Sequence, residues 1–118
     1  MKPSALPQMS ERHRVAVGEL MRRLTHRYNG QIVRAFLFGS VARGEAGADS
    51  DVDILLIAEN PDSNFKWEAR GIAARVSLEH DVLFNLHIYS RARWSEMERE
   101  QSSLQRNVWG EGIDLRPG

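Results

Sequence analysis

Residues 36–44 read FLFGSVARG and residues 49–57 read DSDVDILLI, and these two segments decide how the chain is expected to fold. Each holds an apolar run typical of a buried strand, and Gly39 and Ser40 form a turn after the first run. Asp51 and Asp53 stand at the head of the second run. Side chains two residues apart on a strand point to the same face, so the two carboxylates are predicted to share a cation.

The turn after the first strand is a candidate phosphate-binding segment. Gly39 lets the backbone approach a phosphate where a Cβ atom would obstruct it, and the Ser40 hydroxyl can donate to a phosphate oxygen. Alternatively, Gly39 only makes a tight turn and Ser40 only caps a short helix. Arg43 is a third candidate, able to pair with a triphosphate or with a substrate anion, although an exposed arginine on a turn often does neither.

The order Gly39-Ser40, Arg43-Gly44 and Ser50-Asp51-x-Asp53 resembles the signature of the DNA polymerase beta superfamily of nucleotidyltransferases. The similarity is greatest to its small stand-alone members, the minimal nucleotidyltransferase (MNT) domains. The resemblance implies an α/β (α+β) fold with a small mixed β-sheet, helices packed on one face and acidic residues on the other. It also implies transfer of a nucleoside monophosphate from a triphosphate, with ATP as the expected donor, to a hydroxyl group.

This chemistry explains why acidic residues are expected in the site. Nucleotidyl transfer requires that the triphosphate charge be neutralised while the attacking hydroxyl is aligned. Two cations about 3.5–4 Å apart, bridged by carboxylates, do both. Mg²⁺, or Mn²⁺ in its place, prefers oxygen ligands. Asp51 and Asp53 are therefore predicted to be catalytic metal ligands; the alternative is a solvated pair at the start of a strand.

The resemblance implies a third carboxylate on the next core strand, acting as metal ligand and general base. Asp81 is predicted to fill this position, because a strand over residues 82–89 would place it on one face with Asn85 and His87. Alternatively, Asp81 belongs only to a turn. Asn85 or His87 would then occupy the pocket, and an amide cannot act as a base.

The remaining elements follow from hydrophobic spacing and turn residues. Ser10 is a plausible N-cap for the first helix. Three histidines, His13, His26 and His80, have no zinc-site spacing and are predicted to be solvated. Helices are predicted over Glu11–Arg27, residues 64–78 and residues 94–106, strands over Ile32–Phe38, Val52–Ala58 and residues 82–89, a helical turn at residues 40–43 and a small edge strand at residues 113–115.

Composition restricts the remaining possibilities. The 118 residues, 42% hydrophobic and 27% charged, are typical of one globular domain, so we expect residues 1–118 to form a single domain with residues 1–9 as a flexible tail. No apolar run reaches the roughly 20 residues that cross a bilayer, and the N-terminal segment lacks a signal-peptide core, so a cytoplasmic protein without membrane contact is expected. Zero cysteines exclude thiolate metal sites, and zero net charge argues against binding a long nucleic acid.

The resemblance also implies a protein partner. MNT domains are commonly paired with a small helical protein called HEPN, in some cases as the antitoxin that adenylylates the HEPN toxin. An alternative is an antitoxin or regulatory nucleotide-binding subunit with weak or lost catalysis. A small-molecule transferase is a third possibility, although such relatives usually carry an added substrate domain. Trp94, Leu104 and Trp109 are candidate partner contacts.

Overall fold

The computed structural model describes residues 9–45, 47 and 50–115. The tail predicted for residues 1–9 lies outside these residues except for Met9. The elements of the described chain are, in order, α1 (Glu11–Arg27), β1 (Ile32–Phe38), α2 (Gly39–Arg43), β2 (Val52–Ala58), α3 (Ser63–His80), β3 (Phe84–Ser90), α4 (Arg91–Arg99), α5 (Ser103–Glu111) and β4 (Ile113–Asp114).

The four strands form one mixed sheet in the order β3-β2-β1-β4. β1 is antiparallel to both of its neighbours, whereas β2 and β3 are parallel. A parallel pair needs a crossover connection, and α3 supplies it. The predicted α/β (α+β) fold with a small mixed sheet is confirmed.

Each sheet face carries its own apolar cluster. α1 and α3 cover the first face, where the largest buried side chains include Leu20, Leu24, Ile54 and Leu56. α4 and α5 contact the opposite face, adding a second layer to the predicted one-sided arrangement. The smaller cluster there consists of Phe36, Phe38, Leu55, Ile57 and Val108, with Val33, Tyr89, Trp94 and Leu104 packed against it. Asp51 and Asp53, at the start of β2, also lie on this second face.

Two predicted contact residues are half-buried against this second cluster. Trp94 stacks on Phe36 with ring centroids 6.5 Å apart, and Leu104 packs against the same cluster. Trp109 differs, because 54% of its surface is exposed. Of the three predicted partner contacts, only Trp109 is strongly exposed.

The structure corrects two element boundaries. α3 continues to His80, and Asp81 then adopts a left-handed backbone with φ of 54°, so β3 begins at Phe84 and not at residue 82. The single helix predicted over residues 94–106 is two helices, because Gln101 has φ of 55° and the Ser102 side chain accepts a hydrogen bond from Gln105 N to cap α5. No helix among the described residues is long and apolar enough to cross a membrane.

The prediction of three solvated histidines is wrong for His13. Its side chain is 2% exposed on α1, and its Nε2 atom has no hydrogen-bond partner among the described residues. Ser10 caps the helix by accepting from the backbone N–H of His13, which places this residue in the first turn where α1 meets the core. His26 is exposed, and His80 is half-buried at the end of α3.

We expect His13→Leu to stabilise the domain by about 1 kcal/mol. A buried polar atom without a partner keeps its desolvation penalty, and leucine removes that atom while filling a similar volume. Urea unfolding at neutral pH measures the change, with His26→Leu as the exposed control, expected to stay within about 0.5 kcal/mol of wild type. A less stable His13→Leu variant would contradict an unpaired ring nitrogen.

Candidate active site

Asp51 and Asp53 lie at the start of β2, on the second face of the sheet. Asp51 directly precedes the strand and is exposed, whereas Asp53 is half-buried within it. Asp53 is paired in register with Phe38, the last residue of β1. The two carboxylates therefore lie together at one end of β2, beside the turn that connects β1 to α2.

Gly39 occupies that turn and lies against Asp53. Its backbone has φ of 79°, a left-handed conformation that side chains rarely adopt. A Cβ atom added at Gly39 would overlap the Oδ2 atom of Asp53. Glycine is therefore favoured by its backbone conformation, and any larger residue would also displace the Asp53 carboxylate.

Asn85 is the third side chain beside the acidic pair. It pairs in register with Asp53 across the parallel β2–β3 ladder. Its Nδ2 atom donates to Asp51 Oδ2 at 3.2 Å and to Asp53 Oδ1 at 3.1 Å. Two neighbouring carboxylates repel each other, and a neutral amide that donates to both reduces this repulsion.

The structure does not bring Asp81 to this position. Asp81 caps the end of α3, its side chain is 94% exposed, and its carboxylate accepts a hydrogen bond from Arg12 Nη1 at 3.1 Å. The placement on one face with Asn85 required a strand from residue 82, and β3 starts later. Asn85 therefore occupies the place beside the pair, while His87 lies farther along β3 with its ring 5.3 Å from that of Phe38.

The predicted phosphate-binding residues lie next to the pair on α2. Ser40 is half-buried in the first turn of this short helix. Arg43, at its end, donates to Glu45 at 2.6 Å and to Glu111 of α5 at 3.0 Å. These hydrogen bonds raise the pKa of Arg43 above its usual value, and the one to Glu45 has the larger effect. A phosphate bound by Arg43 would compete with these two carboxylates for the guanidinium group.

The donor set of the site suits a hard cation. Among the described residues, no three His, Cys, Asp or Glu side chains cluster to hold a metal ion. Asp51 and Asp53 supply carboxylate oxygens, the Asn85 side chain carries an amide oxygen, and Mg²⁺ binds through few protein oxygens while keeping waters. A groove of about 830 Å³, lined in part by Asp53, Asn85 and His87, leaves room for a substrate.

Comparisons with known proteins give the same picture from sequence. Residues 17–112 match the family described as a nucleotidyltransferase domain. A proposed protein adenylyltransferase of Methanocaldococcus jannaschii is 31% identical over 97 residues, which cover 82% of this chain and 91% of the relative. A second proposed protein adenylyltransferase of that organism is 44% identical over 59 residues, 49% of this chain and 60% of the relative's length.

Solved structures share the fold. A toxin–antitoxin crystal structure with AMP-PNP has a TM-score of 0.57 at 21% identity, covering 84% of this chain and 72% of that one. A proposed nucleotidyltransferase from Sulfolobus solfataricus has a TM-score of 0.51 at 15% identity, covering 98% and 88%. The family match over residues 17–112 defines the class of protein as a nucleotide-transferring enzyme. The chain belongs to the nucleotidyltransferase domain family.

Proposed function

We propose that this nucleotidyltransferase moves AMP from ATP to a hydroxyl on a partner protein, in a reaction that depends on Mg²⁺ or Mn²⁺. The observation that carries the proposal is the contact between Gly39 and the acidic pair. A backbone without a Cβ atom lies directly against Asp53, so phosphate oxygens held along the Gly39-Ser40 turn would be next to the carboxylates.

Each residue has a role in this proposal. Asp51 and Asp53 would hold the cation, with the amide oxygen of Asn85 as an additional donor. Ser40 would donate its hydroxyl to a phosphate oxygen. Arg43, released from Glu45 and Glu111, would pair with the triphosphate. A bound cation neutralises charge on the triphosphate.

The reaction balances without further reactants. The acceptor oxygen forms a bond to the α-phosphorus, and the bond between that phosphorus and the oxygen bridging to the β-phosphate breaks. Pyrophosphate leaves with the bonding electrons, and the hydroxyl proton passes to a base or to solvent. Asn85 is a neutral amide and cannot accept this proton, and Asp81 is exposed and bonded to Arg12, so the proposal assigns the role of base to neither residue.

The relatives support a protein as acceptor. Both relatives of Methanocaldococcus jannaschii are described as proposed protein adenylyltransferases. A structure from Shewanella oneidensis is described as a tri-AMPylated HEPN toxin in complex with an MNT antitoxin, with a TM-score of 0.53 to this chain at 18% identity. We infer that the partner of this chain is a small helical HEPN-type protein. We also propose that residues 1–118 form a single domain and that the two proteins bind each other in the cytoplasm.

Asn85 favours a second candidate function. In place of a carboxylate that could accept the acceptor's proton, the site presents an amide that donates to Asp51 and Asp53. An amide cannot act as a general base, and such a base contributes about 10²–10⁴-fold to a rate. A nucleotide-binding antitoxin or regulatory subunit with weak or lost catalysis would also fit this geometry.

Calorimetric titration with ATP tests the proposed function. We expect Mg²⁺ to strengthen ATP binding by at least about tenfold over a sample in EDTA, which corresponds to about 1.4 kcal/mol. Asp51→Asn and Asp53→Asn should each remove this gain, because each variant takes away one of the two negative charges that attract the cation. A HEPN-type protein co-expressed with the wild-type chain should then gain the mass of one AMP or more on incubation with ATP and Mg²⁺.

Glu98→Gln is the matched control, because it removes an exposed carboxylate from α4 without touching the site. This variant should bind ATP as wild type does. Equal ATP affinity in Mg²⁺ and EDTA would disprove the metal-dependent site. Metal-dependent ATP binding without any modified acceptor would instead favour the regulatory subunit.

A further inference from the structure

The outward face of α3 exposes large apolar side chains. Trp67 is 80% exposed and Leu78 87% exposed, and Leu83, just after the helix, is 65% exposed. Positions 67, 71, 74 and 78 follow the spacing of one helix face, so Gly71 and Ala74 lie between the two large residues. Exposed apolar side chains are ordinary when scattered, but a row on one helix face is typical of an interaction site.

The profile of this face fits a helix lying across it. Gly71 and Ala74 form a low centre between Trp67 and Leu78. A Cβ atom added at Gly71 would lie 3.9 Å from the Arg75 guanidinium, an ordinary van der Waals distance, so the end of the flexible Arg75 side chain lies beside this low centre. Small central residues let two helices approach closely while larger side chains at the ends contact the partner.

Two hollows flank α3 on this side. One, of about 440 Å³, is lined by residues including Trp67, Gly71 and Arg75. The other is the 830 Å³ groove, which runs past Leu78 and Leu83 to Asp53 and Asn85. The apolar face is therefore continuous with the candidate active site.

The charge of this surface indicates what binds it. Arg70 and Arg75 are exposed, and within the described residues neither forms an ion pair or hydrogen bond. Other exposed arginines nearby are neutralised within the chain, as Arg27 is by Glu68 at 2.8 Å. Two free guanidinium groups beside an apolar row complement a partner that has apolar residues flanked by carboxylates.

We propose that the face formed by Trp67, Gly71, Ala74, Leu78 and Leu83 binds an amphipathic helix of a partner protein whose flanking Asp or Glu residues pair with Arg70 and Arg75. The inference rests on the proposed function only in taking that partner to be the acceptor. Bound there, the helix lies beside the groove that leads to Asp53.

A second copy of this chain fits the surface less well. A two-fold dimer would place the same α3 face on both sides of the interface. Arg70 and Arg75 of one copy would then approach the same residues of the other, and like charges across an interface are unfavourable. An acidic helix of another protein has no such conflict.

Two synthetic peptides, each as long as α3 and stabilised as a helix, test the proposal without ATP or metal. Both carry leucines at the spacing of Trp67, Gly71, Ala74 and Leu78, one flanked by glutamates and the other by lysines. We expect the glutamate peptide to bind saturably below about 1 mM, and at least about tenfold more tightly than the lysine peptide. Arg70→Glu combined with Arg75→Glu should reverse this preference, and Leu78→Ser should weaken both peptides.

Exposed residues elsewhere supply matched controls. Trp109→Ser removes an exposed tryptophan from α5, and Arg99→Glu removes from α4 an exposed arginine that forms no ion pair with another described residue. Both variants should leave peptide affinity unchanged. Equal binding of both peptides, no saturation below 1 mM, or equal loss in the controls would overturn the proposal. A wild-type dimer that Leu78→Ser dissociates in sedimentation would assign the face to a second copy. Asp53→Asn should lose the gain in ATP affinity that Mg²⁺ provides while keeping peptide binding, which separates this inference from the proposed function.

Discussion

Replacing Gly39 with valine will reduce nucleotidyl transfer by at least about 10²-fold, the loss expected when reacting groups are displaced by about 1 Å. The valine Cβ would overlap Asp53 Oδ2, so either the carboxylate or the turn must move. The left-handed backbone adds strain of about 1–3 kcal/mol for any residue with a side chain. Transfer rate and calorimetric ATP affinity, both per folded molecule, measure the effect.

Gly30→Val is a control for the strain alone. Gly30 has φ of 83°, close to that of Gly39, but no atom of the described residues lies within 4 Å of an added Cβ. This variant should lose stability and keep its activity per folded molecule. Ser40→Ala should lose only one hydrogen bond, about 0.5–1.5 kcal/mol of ATP affinity. A folded Gly39→Val variant with wild-type transfer would disprove the turn as a phosphate cradle.

Asn85→Asp will make the domain depend on divalent metal for its stability. A third carboxylate would replace the amide that now donates to Asp51 and Asp53, so the apo site would hold three like charges within hydrogen-bonding distance. We expect a lower unfolding temperature than wild type in EDTA and a larger gain on adding Mg²⁺ or Mn²⁺. Thermal unfolding with and without metal measures both.

The same variant will raise the transfer rate, by about 10²-fold or more, if the amide is what limits catalysis through lack of a base. Asp81→Asn is its control: Asp81 is exposed and paired with Arg12, so its loss should leave transfer unchanged and alter stability by less than about 1 kcal/mol. An unchanged rate in Asn85→Asp, with metal bound, would show that Asn85 does not limit the reaction.

The sequence predicted the elements that have strong local signals. Helix α1 and strands β1 and β2 have the predicted bounds, because an N-cap serine, helical spacing and apolar runs each identify them locally. The predicted start of β3 was wrong by two residues. Its first residue depends on the pairing of Phe84 with Val52, which is far away in sequence. The break between α4 and α5 had a local signal in Ser102, a serine that caps the second helix.

The part of the site that depends on local sequence signals was predicted, and the part that depends on pairing between distant segments was not. The common face of Asp51 and Asp53 follows from strand parity alone. The third position does not, because it depends on where β3 begins, and a start at residue 84 replaces Asp81 with Asn85 beside the pair. The overlap between Gly39 and Asp53 depends on the register of β1 with β2, which local sequence patterns do not specify.

The order of strands also bears on how the domain folds. β1 and β2 are consecutive strands that pair antiparallel across residues 39–51, so Gly39 and Asp53 meet at a lower cost in loop-closure entropy than the contacts of β3 or β4. β3 reaches β2 only after the α3 crossover, and β4 pairs with β1 from the far end of the described chain. Contacts of long sequence separation form late and slowly. The carboxylates and the glycine turn should therefore meet early in folding, with Asn85 joining them only when the parallel pair closes.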